Sequence, residues 1–370
     1  MRVVLFCHSL LSDWNHGNAH FLRGVVTELA ARGHDVRVYE PANAWSVENL
    51  LRDHGESVLG LVCAVYPAVR PRRYRGELDL DEALDGADLV LVHEWTEPAL
   101  VARIGRARTR GVLLFHDTHH RMATEPDAMA RYDLSRFDGV LAFGGAIRDQ
   151  YERRGWARRT WVWHEAADTR VFRPLPGVRR ESDIVWIGNW GDEERTTELA
   201  TFFLEPVRDL GLSALVHGVR YPATARMALH AHRIEYRGWL PNFRVPEVFA
   251  RHRVTVHVPR RPYVEALPGI PTIRVFEALA CGIPLVSAPW DDIEGLFSPG
   301  ADFLVARDGD EMKKHLRLLV GEPAAARAIA EHGLATILRL HTCAHRVDEL
   351  LAIVRSIHPR PSHLTEDMTA

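Results

Sequence analysis

A Gly/Pro loop followed by a cation and an acid at helical spacing carries the most specific chemistry in this chain. Leu267-Pro-Gly-Ile-Pro-Thr-Ile-Arg-Val-Phe-Glu277 runs on through Ala-Leu-Ala-Cys-Gly282 into an apolar strand ending at Ser287. Pro271, with fixed φ and no N–H, suits a first helical position and leaves the Thr272 and Ile273 amides at the positive end of a helix. Such an end attracts anions, phosphate in particular. Gly269, followed by Ile270, lets the backbone come close to a bulky anion. Arg274 and Glu277 stand three apart and project from neighbouring points of one helix face. That pairing suits a ligand that is both phosphorylated and hydroxylated. The Glu277 carboxylate can accept the vicinal hydroxyls of a ribose, each charge-assisted bond contributing about 1.5–3 kcal/mol, while the helix end holds a diphosphate. The same residues also make an ordinary helix start with a glycine cap, so the surrounding elements have to decide.

Other polar clusters fall where buried strands end. Val3–Phe6 leads into Ser12-Asp-Trp-Asn-His-Gly-Asn18, which places Asp13, His16 and Gly17 in the first strand-to-helix loop. Leu89–Val92 leads into His93-Glu94-Trp95, and Val112–Phe115 into His116-Asp-Thr-His-His120. Ligands of open parallel sheets bind beyond the carboxyl ends of strands, which makes His116 the favoured site residue of the first half. His116, His119 and His120 could also hold a metal, with proximity as the only support. In the second half the corresponding loops are Gly188-Asn-Trp-Gly-Asp192, His217-Gly-Val-Arg220, Gly238-Trp-Leu240 and Pro259-Arg-Arg261. Trp239 or Tyr263 could stack on a base, and Arg195 or Arg261 could neutralise a diphosphate.

The elements that must position these groups alternate strand and helix through both halves. Phe21, Leu22, Val25, Val26, Leu29 and Ala30 recur at helical spacing before Arg32-Gly33 and the strand Val36–Tyr39, a βαβ opening. It carries no G-x-G-x-x-G, which argues against a dinucleotide cradle. Tyr66–Tyr74, rich in Pro and Arg, reads as a loop. Alternation then continues to Trp161–Trp163, a Pro-containing stretch follows, and a fresh strand begins at Ile184. The pattern predicts an α/β chain of two doubly wound, Rossmann-like domains facing a cleft. The first spans residues 1–165 and the second 166–340, followed by a helix over 341–358 that packs back toward the first domain and a flexible tail over 359–370.

Bulk properties narrow the partners. The chain has 370 residues, enough for two cores, and its 46 Lys+Arg nearly balance 49 Asp+Glu for a formal charge of −3. No bulk field recruits nucleic acid or an anionic membrane. The 4 cysteines are scattered without a C-x-x-C pair, which fits a reducing compartment. No signal-peptide core and no membrane-length apolar run is present, so the expectation is a cytoplasmic protein that binds small molecules; oligomeric state is left open.

Taken in order, the motifs His16-Gly17 with Arg32-Gly-His-Asp-Val36, His116-Asp117, Asp168-Thr-Arg-Val-Phe-Arg-Pro174, Gly188, Tyr236-Arg-Gly-Trp-Leu-Pro241 and Phe276-Glu-Ala-Leu-Ala-Cys-Gly-Ile-Pro-Leu-Val-Ser287 resemble the GT-B glycosyltransferases. The similarity is to the retaining family-4 type and the related spore-maturation CgeB-like group, over roughly residues 1–357. It implies a nucleotide-diphosphate sugar as donor, held mainly by the second domain, and a small-molecule or glycan acceptor on the first. It also implies no cofactor and no catalytic metal. On this resemblance Glu277 matches the ribose-binding carboxylate and His116 the histidine that reaches the transferred sugar. Gly17, Gly188, Asn189, Arg195, Trp239, Arg261, Gly269, Ile270, Thr272 and Arg274 complete the donor side. Two positions depart from the family pattern. Gly269 stands where it carries an acid eight residues before Glu277, with Glu265 as a substitute, and Asn189 follows Gly188 where Arg and Lys are usual. Phosphate neutralisation then falls to Arg195, Arg261 or Arg274.

Glycosyl transfer builds negative charge on a departing diphosphate, which the Thr272 helix end and an arginine can stabilise. An inverting reaction needs a base, for which Asp13, His16 and Asp117 are the compatible choices; a retaining one can use the diphosphate itself. Alternatives on the same fold are a nucleotide-sugar 2-epimerase and a catalytically idle binding protein. A metal-dependent transferase using Asp79-Leu-Asp81 is disfavoured because that segment reads as an amphipathic turn.

Overall fold

The chain is seen in a computed structural model that describes residues 1–107, 110–191 and 193–357; the expected tail over 359–370 lies outside them. Seven strands form the first sheet: β1 (Arg2–Phe6), β2 (Asp35–Pro41), β3 (Arg72–Tyr74), β4 (Leu89–His93), β5 (Val112–Asp117), β6 (Gly139–Ala142) and β7 (Thr160–Val162). Their order is β3-β2-β1-β4-β5-β6-β7, all parallel. Six more form the second: β8 (Ser182–Ile187), β9 (Ala214–His217), β10 (Glu235–Tyr236), β11 (His252–His257), β12 (Leu285–Ser287) and β13 (Leu304–Val305), in the order β10-β9-β8-β11-β12-β13. In both sheets the order reverses at the first strand, which opens a crevice beyond β1 and β4 and another beyond β8 and β11. The two crevices face each other.

β4 and β5 are buried along their whole length, as strands covered on both faces must be. Arg72–Tyr74, read from sequence as loop, is instead the edge strand β3, pairing Tyr39 with Arg72 and Pro41 with Tyr74. Its arginines sit at the solvated edge, where charge is tolerated and deters further pairing. The helical run after Gly188 is broken by a π turn over Ala200–Leu204, between Thr196–Leu199 and Glu205–Leu210.

The last helix, Cys343–Ile357, packs against Ala19–Ala31 of the first domain, and Arg32 pairs with Asp348 across that contact. One hydrophobic cluster runs through both domains, from Phe21 and Val25 to Val275, Leu279 and Val347. Gly24 is buried where the first helix meets the Asp168 and Cys343 segments. A Cβ there would lie 2.8 Å from Asp168 Cβ and collide with Cys343 Sγ. Gly24→Ala should therefore destabilise the protein by about 1–3 kcal/mol, read as a lower urea midpoint at constant slope. An unchanged midpoint would show that the three segments are not tightly packed.

The helix that begins the Glu277 segment starts later than its sequence suggests. It spans Ile273–Ala280 with Thr272 as N-cap in extended conformation, so Pro271 precedes the helix and the leading amides are those of Ile273 and Arg274.

Candidate active site between the two sheets

The cleft encloses a cavity of about 560 Å³ whose walls come from both domains. The β1 loop contributes Asp13, Asn15, His16, Gly17 and Asn18, and the β4 and β5 loops contribute Trp95, Thr118, His119 and His120. Opposite stand Gly188, Asn189 and Arg195 from the β8 loop, His217 to Arg220 after β9, Arg260 after β11, and Thr272 to Arg274. Close glycine packing brings these loops together. A Cβ on Gly17 would lie 3.2 Å from Ile273 Cγ2 in the other domain, and one on Gly218 would overlap the Gly188 carbonyl.

The second-domain wall is cationic. Half-buried Arg195 donates to the Val258 carbonyl (2.9 Å) and to Asn189 O and Oδ1 (both 2.7 Å), while its Nε finds no partner among the described residues. Burial, then neighbouring Arg260, holds its guanidinium down to about 10, still charged at neutral pH. Arg260 reaches Glu194 Oε2 at 3.0 Å and Asn189 Oδ1 at 3.1 Å. Arg274 is ion-paired to Glu277. Three arginines, from the β8 loop, the turn after β11 and the helix Ile273–Ala280, thus line one cavity. Thr272 Oγ1 lies 3.0 Å from His257 Nε2, and His257 Nδ1 lies 2.9 Å from Ser287 Oγ. Because the Ser287 hydroxyl donates to Ala288 O, the network assigns the His257 proton to Nδ1 and makes Nε2 an acceptor for Thr272.

Several expected site residues stand elsewhere or are already engaged. Glu277 is fully buried and not on the cavity wall. Its Oε1 meets His20 Nδ1 at 2.7 Å and accepts from Asn242 Nδ2 at 2.6 Å, and Arg274 takes Oε2. His20 Nε2 accepts the Asp168 amide at 2.9 Å, so Nδ1 carries the proton toward Glu277. Burial alone would raise this carboxyl's pKa; Arg274, His20 and Asn242 outweigh it and hold it below the usual range. In this arrangement Arg274 rather than Glu277 meets the cavity. Gly269 and Ile270 are also off the wall. Gly269, at φ +86°, turns the chain against Ile293 and Glu294, and Ile270 packs into the first domain's core beside Gly144. Arg261 turns outward to the Glu193 and Glu194 carbonyls. Trp239 donates to Asp13 Oδ1 at 2.9 Å and packs on His54, 4.6 Å between ring centres. Glu265 is exposed and off the wall.

On the first-domain side, His116 lies behind the cavity rather than on it, fully buried against Trp163, Phe21 and His93, with neither ring nitrogen partnered among the described residues. Burial pushes its imidazole down to about 3. Asp117 is likewise withdrawn, accepting from Tyr151 Oη at 2.9 Å and the His119 amide at 3.2 Å, and burial raises it to about 6. Asp13 is bound by Arg23 (2.9 Å), Trp239 and the Asn242 amide (3.1 Å). His16 does face the cavity, with an Nε2 that has no partner among the described residues and an imidazole driven well below the ordinary range by burial, then by His8 and Arg23. Beside it lie Trp45, Trp95 and His119, with 6.2 Å between the Trp45 and Trp95 ring centres and 5.3 Å between those of Trp95 and His119. This patch is aromatic, and the Asp13 and Glu125 carboxyls line the same side of the cavity. Arg260, Trp45 and Glu165 were not singled out from sequence as site residues, and His119 was weighed only as a metal ligand; for Arg260 the only signal was an Arg-Arg pair whose two members face opposite ways.

Among the described residues no group of three His, Cys, Asp or Glu side chains is placed to hold a metal ion, so His116, His119 and His120 do not form such a cluster. Asp79 instead caps a short helix, accepting from the Glu82 amide at 3.1 Å. No helix in the described residues is long and apolar enough to cross a membrane.

The buried neutral histidines predict acid sensitivity. His16, His93 and His116 have folded-state pKa values below an unfolded value of about 6.5, so the unfolded chain binds more protons as pH falls below that point. Their contribution is complete above pH ~6.5 and is lost toward the folded values, at about 1.4 kcal/mol per histidine for each pH unit. Urea midpoints at pH 7.5 and 5.5 should differ accordingly, and His116→Phe should reduce the difference. Equal midpoints would mean that these imidazoles are hydrated.

The fold matches known proteins. The Glycosyltransferase Family 4 model matches residues 15–171, and the glycosyl transferase-like model matches residues 195–352. No curated protein matches in sequence. Among solved structures, sucrose-phosphate synthase from Thermosynechococcus elongatus is similar at 16% identity and TM-score 0.67, over 96% of this chain and 99% of that one. An α-glucosyltransferase in complex with UDP-glucose and DNA containing an abasic site is similar at 12% identity and TM-score 0.70, over 96% and 99%. HepE from Anabaena in complex with UDP is similar at 15% identity and TM-score 0.65, over 96% and 100%. With two parallel α/β domains facing one cleft, and a glycosyltransferase model on each half, the chain is a glycosyltransferase of the GT-B fold.

Proposed function

We propose that this enzyme transfers a sugar from a nucleoside diphosphate sugar to a neutral acceptor that presents a flat ring face, such as a glycan or a small hydroxylated molecule. The observation that carries the reading is the convergence of Arg195, Arg260 and Arg274 on one wall of the interdomain cavity. A leaving diphosphate needs its growing charge met by groups already in place, and three guanidinium groups beside the Thr272–Ile273 helix start supply that without a metal. The UDP and UDP-glucose complexes of similar structures support a uridine nucleotide as donor. The nucleoside lies toward His217–Arg220 and Leu240, and Trp45, Trp95 and His119 stack on the acceptor.

Retention of configuration is the favoured outcome. Of the bases read from sequence, Asp13 and Asp117 are tied up in hydrogen bonds and His16 is a weak base in its buried position, which supports the departing diphosphate as the proton acceptor. An acceptor side that carries aromatic rings and the Asp13 and Glu125 carboxyls, together with a formal charge of −3, supports an acceptor other than nucleic acid. The likeness of the Phe276–Ser287 run supports placing the enzyme near the CgeB-like group, and scattered cysteines support a cytoplasmic site of action. The test is nucleoside diphosphate release from a panel of nucleotide sugars, in EDTA, with and without glycoside acceptors. Acceptor-dependent release with the anomeric configuration preserved is expected. Conversion of the sugar without acceptor would replace transfer with epimerisation, and absence of nucleotide binding would overturn the donor site.

A further inference from the structure

Four carboxyl groups line the cavity among the described residues: Asp13, Glu125, Glu165 and Glu194. Three are engaged. Asp13 is held by Arg23, Trp239 and Asn242; Glu125 pairs with Arg121 at 3.6 Å; Glu194 pairs with Arg260 at 3.0 Å. Glu165 differs. It is 4% exposed, its Oε1 has no hydrogen-bond partner, and no ion pair reaches it among the described residues.

The backbone that carries this carboxyl is fixed from both sides. His164 Nδ1 lies 2.9 Å from Phe143 O and its Nε2 lies 3.1 Å from Glu294. Trp163 Nε1 donates to Arg346 O at 2.8 Å, Arg346 Nε returns a bond to His164 O at 3.0 Å, and the Ala167 amide donates to His341 O at 2.9 Å. A rigid segment thus presents an unpaired, buried acid to an enclosed space. Leaving such a group without a partner costs free energy, and no hydrogen bond to its Oε1 among the described residues offsets that cost.

Resting on the donor-site reading above, we infer that Glu165 is a specificity-determining residue whose carboxyl hydrogen-bonds a hydroxyl of the transferred sugar. The location argues for the sugar rather than the rest of the donor. A carboxyl does not suit a diphosphate, and the three guanidinium groups that do suit one come from the second domain. The nucleoside side of the cavity is built from the β9 and β10 loops. Glu165 comes instead from the segment joining the two domains, where the walls meet and where a group that must touch both donor and acceptor has to lie. Its ionisable neighbours there are Glu277 and Tyr263, and burial, then Glu277, raises its own pKa to about 8, which favours the protonated form able to both donate and accept. No acid is available at position 269, and Glu265 does not reach the cavity, so no other unpaired carboxyl competes for this role.

The experiment compares wild type with Glu165→Ala and Glu165→Gln by calorimetry with UDP alone and by kinetics over UDP-sugars that differ at single hydroxyls. Thermal melting confirms that both variants are folded. Glu165→Ala is expected to bind UDP as wild type does, to lose at least about tenfold in kcat/KM, and to blur the preference among epimeric sugars. Glu165→Gln, which can still donate and accept, is expected to recover most of the rate and the preference. Unchanged kcat/KM and unchanged sugar ranking in Glu165→Ala would overturn the assignment. A Gln variant as slow as the Ala variant would also overturn it, because that pattern belongs to proton transfer. If wild type binds neither UDP nor any nucleotide sugar, the donor-site reading falls and the Glu165 role with it; normal UDP binding with an unaffected Glu165→Ala removes only the latter.

Discussion

Glu277→Ala should cost about 3–5 kcal/mol of stability, the penalty for breaking a buried ion pair and leaving its partner charged. Glu277 is fully buried between Arg274, His20 and Asn242, and removing it strands a guanidinium, an imidazole N–H and an amide at once. His20 belongs to the first domain's leading helix and Glu277 to the second domain, so the contact also fastens the two domains together. Urea unfolding should show the loss, and small-angle scattering should show a larger radius for the variant if the cleft opens. Glu277→Gln should fall between, keeping some of the hydrogen bonds but not the charge. The depressed carboxyl adds a pH sign: its stabilisation is present above the ordinary carboxylate pKa and is lost as pH falls through the folded value. A loss below about 1 kcal/mol for the Ala variant would place it among ordinary surface substitutions and remove the hub.

Arg195→Ala should weaken nucleoside diphosphate binding by roughly 10- to 150-fold, the equivalent of one charge-assisted hydrogen bond of about 1.5–3 kcal/mol. The side chain is half-buried on the cavity wall and its Nε, shielded from water, has no partner among the described residues, so its guanidinium is already partly desolvated for a bound phosphate. The side chain also ties the β8 loop to Val258, so Arg195→Lys is the second variant, expected to keep charge while losing the fixed fork. Arg261→Ala provides the contrast, since that guanidinium bonds outward to Glu193 and Glu194 carbonyls and should leave affinity unchanged. Calorimetry with UDP reads all three. Equal affinity in Arg195→Ala and wild type would move the diphosphate to Arg260 and Arg274.

Sequence distance explains which parts of this site were legible. The βα alternation rests on local periodicity, and buried runs such as Leu89–Val92 and Val112–Phe115 announce themselves because both faces of a parallel strand must be apolar. Edge strand β3 escaped because only three residues pair, and two of them are arginines. Strand ends could be located, yet not which polar residue after them turns into the cleft. His116 is the penultimate residue of β5 and stays under the sheet edge, whereas His119, past the end of the strand, reaches the cavity. Arg260 and Arg261 differ by one position, and a helix beginning at Arg261 sends them to opposite sides. Glu165 has no motif at all; only its burial without a partner marks it.

The Leu267–Ser287 segment shows the division most clearly. Its composition determines a turn at Gly269, a helix with Arg274 and Glu277 on one face, and a buried strand, because each depends on neighbours a few positions away. What the turn and the acid do was decided by residues far off in sequence. Ile270 entered the first domain's core beside Gly144, and Glu277 found His20 at a separation of 257 residues. A buried carboxylate takes whatever donors the assembled interface brings within reach, so its partners are a property of how two sheets meet rather than of the segment that carries it.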